Sequence, residues 1–173
     1  VSSDNNSFAN AQTLGLFEAS LNNDQRSGPL SSNRLSKTVG GIISGATDVD
    51  WYRFDIGYQR LTRDDAEMFF ATIFDIDYAD GFARGDLAIY VFNSAGQLVL
   101  IGTDSNIADD QPTGLSGADN QDLSRGSAGA RDPFIGVAEL PEGEYFVAIS
   151  NQSQIPVQMD QFGVANPTNP LLR

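Results

Sequence analysis

The sequence predicts an all-β fold, a β-sandwich of about seven or eight short antiparallel strands joined by long acidic loops. Three observations lead there. Apolar residues alternate with polar ones in short runs, as in "WYRFDI" (51–56). Seventeen glycines and seven prolines, with many Asn, Asp and Ser, supply frequent turns. The acidic residues are mostly aspartate, which belongs in turns and oxygen-ligand sites, rather than the glutamate that helix surfaces favour.

The elements follow in chain order. "SFANAQTL" (7–14) reads as a short helical turn, with Ser7 as N-cap and Phe8, Ala11 and Leu14 at helical spacing. Residues 20–37 are polar and rich in Asn and Ser, and read as a loop. "TVGGIIS" (38–44) reads as a first short strand. In "WYRFDI", Tyr52, Phe54 and Ile56 face one way, and Trp51, Arg53 and Asp55 the other. "EMFFATIFDID" (67–77) is a further strand. "DLAIYVF" (86–92) and "QLVLIGT" (97–103) flank "NSAG" and form a hairpin. Residues 104–131 make a long polar loop, of the kind that is usually functional in a compact domain. "PFIGVAEL" (133–140), "PEGE" and "YFVAISN" (145–151) read as strand, turn and strand. Residues 152–173 hold three prolines and no clear period, and read as an edge strand or a linker after a domain spanning 1–151.

Composition restricts the function. A chain of 173 residues with 40% hydrophobic residues can bury a core. Its net charge of -13 argues against nucleic acid as a partner, because phosphate binding needs a basic patch. There is no long apolar run to span a membrane. With no Cys and no His, thiol chemistry, Ser-His-Asp triads and HExxH zinc sites are excluded. "GLSGA" (114–118) lacks the nucleophile-elbow spacing, and the single lysine, Lys37, lies in a polar loop, a poor setting for a desolvated base. Paired carboxylates for glycoside hydrolysis stay formally open, but nothing marks a raised-pKa acid in an apolar pocket, and the chain is read as a non-enzyme. A carbohydrate-binding module would display a line of exposed aromatics, whereas these aromatics sit on the apolar faces of strands. Trp51 reads either as core packing or as a ligand-stacking aromatic.

Two clusters of aspartates carry the site reading. "TDVD" places Asp48 and Asp50 directly before a hydrophobic strand. They are either formers of a tight turn or, pointing to one side at i and i+2, ligands of a shared cation. "DNNS" adds Asp4, Asn5 and Asn6 as oxygen donors. In the second cluster, hairpin pairing puts Asp86 across from Asp104 or nearly so. Asp77 ends its strand at the same sheet edge, and Asp132 starts the strand beyond the long loop. Carboxylates gathered there repel unless a hard cation offsets them. Calcium, which takes six to eight oxygens, suits such donors; zinc does not, without His or Cys. The alternative is that these aspartates cap turns in solvent.

Four stretches occur in an order that resembles the bacterial pre-peptidase C-terminal domain family. They are "NNSFANAQTL", "GGIISGATDVDWYRFDI", "DLAIYVFNSAGQLV" and "ELPEGEYFVAIS". The collagen-binding modules of clostridial collagenases are similar. The resemblance implies a jelly-roll sandwich attached to secreted proteases and surface proteins, with a non-catalytic role. It implies calcium held between the N-terminal segment and the acidic loop, here Asn5 and Asn6 with Asp48 and Asp50. Ser3 and Asn6 stand where the family often has acidic residues, which lowers the expected affinity. The expected protein is a secreted or cell-surface module that uses calcium for adhesion or for targeting a protein or polysaccharide polymer. The alternative is a subunit that assembles with copies of itself into a layer, tube or filament, with the C-terminal segment as a strand donated to a neighbour's sheet.

Overall fold

A computed structural model describes residues 5–19, 37, 39–58, 69–76, 85–104, 131–152, 154–156 and 171–172. These residues form eight strands and one turn of 3-10 helix, with no α-helix among them. The strands are β1 (Gln12–Ala19), β2 (Val49–Tyr58), β3 (Phe69–Asp75) and β4 (Leu87–Asn93), then β5 (Leu98–Gly102), β6 (Phe134–Pro141), β7 (Gly143–Asn151) and β8 (Leu171–Leu172). Six form one sheet in the order β1-β2-β7-β4-β5-β8, and β3 pairs with β6 in a second sheet.

The sandwich-like arrangement follows from alternation. On one face of the large sheet Phe54, Ile56, Ile89, Val91, Leu100, Tyr145 and Val147 form a core with Ile135 and Leu140 of β6. The small sheet therefore covers this face. Gly102 marks a close approach between the sheets, since a Cβ there would lie 2.8 Å from Ile135 Cγ1. The other face has its own core, built from Val49, Trp51, Ala88, Tyr90, Phe92, Leu98, Phe146 and Ala148. Burying both faces explains why β4 reads "LAIYVFN", apolar almost throughout, instead of alternating with polar residues.

The hairpin forms as its sequence predicts. Asn93 closes the turn: its side-chain oxygen accepts bonds from the backbone N–H groups of Ala95 and Gln97, both at 3.0 Å. Gly96 supplies the positive φ of 75° that the turn requires.

Four expectations need correction. First, the helical turn in segment 7–14 forms with Ser7 at its N-cap position but is shorter than expected. The 3-10 helix covers only Phe8–Asn10, Ser7 makes no capping bond through its side chain, and a strand starts at Gln12. Phe8 and Ala11 pack on the second core while Leu14 packs on the first, so their helical spacing never becomes one face. Sheet pairing with β2 wins over a weak local helix signal. Second, no strand forms within residues 39–44. Ile42 is 82% exposed, so the β-branched run has no packed surface to pay for ordering it into a ladder. Third, the pairing is not all antiparallel, because β1 runs parallel to β2 and β8 parallel to β5. Fourth, the hairpin register holds next to the turn, where Phe92 pairs with Leu98, but a bulge between Val91 and Phe92 then shifts it by one, so that Ile89 pairs with Gly102 and Asp86 lies nearly, not directly, across from Asp104.

Candidate functional site

The first cluster forms at the start of β2, where the N-terminal segment is clasped to the strand. The Trp51 N–H donates to the Asn5 carbonyl at 2.8 Å. The Asn5 side-chain amide donates to the Trp51 carbonyl at 3.3 Å. Asn5 is only 1% exposed, far more buried than is usual for asparagine. Its neighbour Asn6 is exposed. Three residues on, Phe8 stacks on Phe146 with ring centroids 4.0 Å apart and meets Trp51 edge-on at 5.5 Å. The segment is thus fixed by apolar packing on one side of the strand and by hydrogen bonds along it.

Asp50 and Tyr52 lie on the opposite side of β2 from Trp51, as strand periodicity requires. Both are buried. The Asn5 side-chain amide lies beside the Asp50 carboxylate and the Tyr52 hydroxyl and favours the ionised form of each. Gly41 crosses over this pair: a Cβ there would come within 3.2 Å of both Asp50 Oδ2 and the Tyr52 hydroxyl. Glycine at 41 therefore lets the backbone approach the two polar groups closely.

Asp48 sits at the rim and shapes the loop. Its Oδ2 accepts from both the backbone N–H and the hydroxyl of Ser44, each at 2.7 Å. These bonds hold the Asp48 carboxyl below the usual carboxylate range. They also show that Asp48 is a turn former, whatever else it does. Asp50 is shifted the other way. Burial is the main cause and the charge of nearby Asp48 adds to it, outweighing the bond with Asn5. Burial, followed by the charge of Asp50, likewise raises the Tyr52 phenol. The arrangement is thus a buried carboxylate held against a like charge, with the NH2 of the Asn5 amide alongside.

The second cluster is less closely gathered. Asp86 and Asp104 are linked through Gln152, whose backbone N–H donates to the Asp86 carbonyl at 2.7 Å and whose side-chain amide donates to Asp104 Oδ2 at 3.0 Å. Asp104 is exposed, whereas Asp132 is fully buried at the start of β6. Asp77 lies outside the described residues, as do Asp4 and nearly all of the two long polar loops. Among the described residues no group of three acidic side chains is gathered closely enough to hold a metal ion by carboxylates alone.

Trp51 is 1% exposed and packs on Phe92 at 5.2 Å, so it belongs to the core and is not a stacking platform for a ligand. Sequence reasoning missed Gly41, Ser44 and Tyr52. The signals were present in the glycine pair before "IIS" and in the tyrosine two residues after Asp50. Comparison with models of known protein families, with curated proteins and with solved structures gives no match.

Proposed function

We propose that this chain is a non-catalytic, calcium-binding extracellular module of jelly-roll type, akin to the pre-peptidase C-terminal domains, that serves adhesion or the targeting of a protein or polysaccharide polymer. The observation that carries the reading is Asp50, a buried carboxylate facing the like charge of Asp48 beneath the Asn5 clasp. A buried carboxylate beside a second one at the rim is electrostatically unfavourable alone, and a divalent cation converts that repulsion into attraction. The donor set fits a hard cation. Asp48 and Asp50 would supply charge, and Asn5 a neutral amide oxygen once its amide turned from donating to the Trp51 carbonyl, with backbone carbonyls and water completing the six to eight oxygens calcium takes. Bound there, calcium would tie the N-terminal segment to the loop before β2 and stiffen one end of the sandwich.

The test is a thermal melt of the whole chain in excess calcium and in chelator, followed by light scattering. Calcium at about 100 times its dissociation constant stabilises by about 2.7 kcal/mol, which for a chain of this size raises Tm by roughly 5–10 °C. No shift would return Asp48 and Asp50 to the role of turn formers.

A second reading, a subunit that assembles with copies of itself, is favoured by one observation. The sheet ends in β8, a segment remote in sequence that adds to the edge of β5. A rise in scattering with calcium would support assembly. A polymer-binding module would instead stay monomeric and be retained on its immobilised polymer.

A further inference from the structure

The two ends of the large sheet are protected differently. At one end, β1 is broken by a bulge between Thr13 and Gly15, where Gly15 takes a φ of 92°. Lys37, the single lysine of the chain, donates through its Nζ to the Leu14 carbonyl in this bulge and lies 5.4 Å over the Phe17 ring. A bulge and a lysine are standard means of blocking further strand addition. At the other end, β5 reads "LVLIG", apolar, with no charge and no proline. Such an edge pairs readily with another strand and needs a cover. The cover is β8, through two residue pairs, Leu100 with Leu171 and Ile101 with Leu172. Two pairs leave the rest of this five-residue edge without a partner strand among the described residues.

We propose that the outer edge of β5 is a strand-acceptor site that takes the Leu171–Leu172 segment of a second copy of this chain. Pairing within one chain and pairing between two chains make the same backbone bonds. Protein concentration therefore shifts the balance between them by mass action. Because donor and acceptor are different surfaces, the contact is head-to-tail and does not close on itself unless a ring forms. It propagates into an open chain of subunits, each giving β8 and receiving β8. The inference rests on the assembly reading and is independent of calcium binding to Asp48 and Asp50.

The absence of cysteine makes the test clean. Full-length Ile101→Cys and Leu172→Cys chains are mixed under mild oxidation, and the disulfide-linked heterodimer is counted. Leu172→Cys mixed with Ser94→Cys, at the exposed hairpin tip, gives the level of random collision. The expected result is heterodimer well above that level, its fraction rising by up to about tenfold for a tenfold rise in concentration while exchange is far from saturated. The doubly substituted chain should then give both internal bonds and a ladder of linked chains. Internal bonds alone, with no heterodimer above the collision level, would overturn the proposal. So would the absence of both, because β8 would then not lie on β5. If calcium still raises scattering in either of those cases, assembly uses another surface and only strand exchange is lost.

Discussion

Trp51→Ala should lower the unfolding free energy by about 3–5 kcal/mol, the range for truncating a buried large aromatic. Trp51 is 1% exposed and contacts two rings, Phe8 edge-on and Phe92 at 5.2 Å, so its loss leaves a cavity that rigid neighbours cannot fill. It also removes the surface on which the N-terminal segment packs through Phe8, adding an effect beyond area. Natural domains hold about 5–15 kcal/mol in total, so one substitution consumes a large part of the margin. Chemical denaturation measures the change. Ile42→Ala is the control: Ile42 is 82% exposed, and its truncation should move stability by no more than about 0.5 kcal/mol. A Trp51→Ala chain as stable as the Ile42→Ala chain would mean that the second core does not bear on stability.

Asp50→Asn should change sign with calcium. Without the ion, Asp50 is a carboxylate whose folded pKa is raised, chiefly by burial and then by Asp48. Its contribution to stability is fully present below the ordinary carboxylate range and is lost as pH rises through the raised value. At neutral pH in chelator its charge therefore opposes folding, and Asp50→Asn should equal or exceed the natural chain in stability. With calcium the order reverses, because the amide cannot supply the charge that binds the ion. Asp48 behaves oppositely. The Ser44 bonds depress its pKa, so its contribution is present above the ordinary range and lost as pH falls through the lowered value. Asp48→Asn should destabilise in chelator as well as in calcium. Thermal melts of the three chains across pH, with and without the ion, separate these cases. An Asp50→Asn chain that is less stable in chelator at neutral pH would show that the ionised carboxylate stabilises the fold without a cation.

How much of this was legible depends on whether the governing contacts are local. The β4–β5 hairpin was readable because Asn93 and Gly96 carry their turn chemistry in four residues. The first part of β2 was readable from its alternation, and its two aspartates from their position before it. The strand β1 was not, because Phe8, Ala11 and Leu14 mimic helical spacing while serving two different cores. Parallel pairing of β1 with β2, and of β8 with β5, joins segments far apart in sequence, and no local pattern encodes it. Asn5 is an oxygen donor by residue type, but its burial and its reciprocal bonds to Trp51 arise only on folding. In the sequence Gly41 falls within an apparent strand, residues 38–44. Its role appears once the loop returns over Asp50 and Tyr52, an event of tertiary closure. The burial of Asp132 was likewise invisible, since Asp before Pro reads as a turn.

The central claim, that the clasp at the start of β2 is a calcium site, is tested most directly by calorimetric titration of calcium into the folded chain at neutral pH, beside the Asp50→Asn chain. The expected result is saturable binding to the natural chain that is lost or strongly weakened by Asp50→Asn. Titrations without binding heat at several temperatures, or binding that Asp50→Asn leaves unchanged, would contradict it.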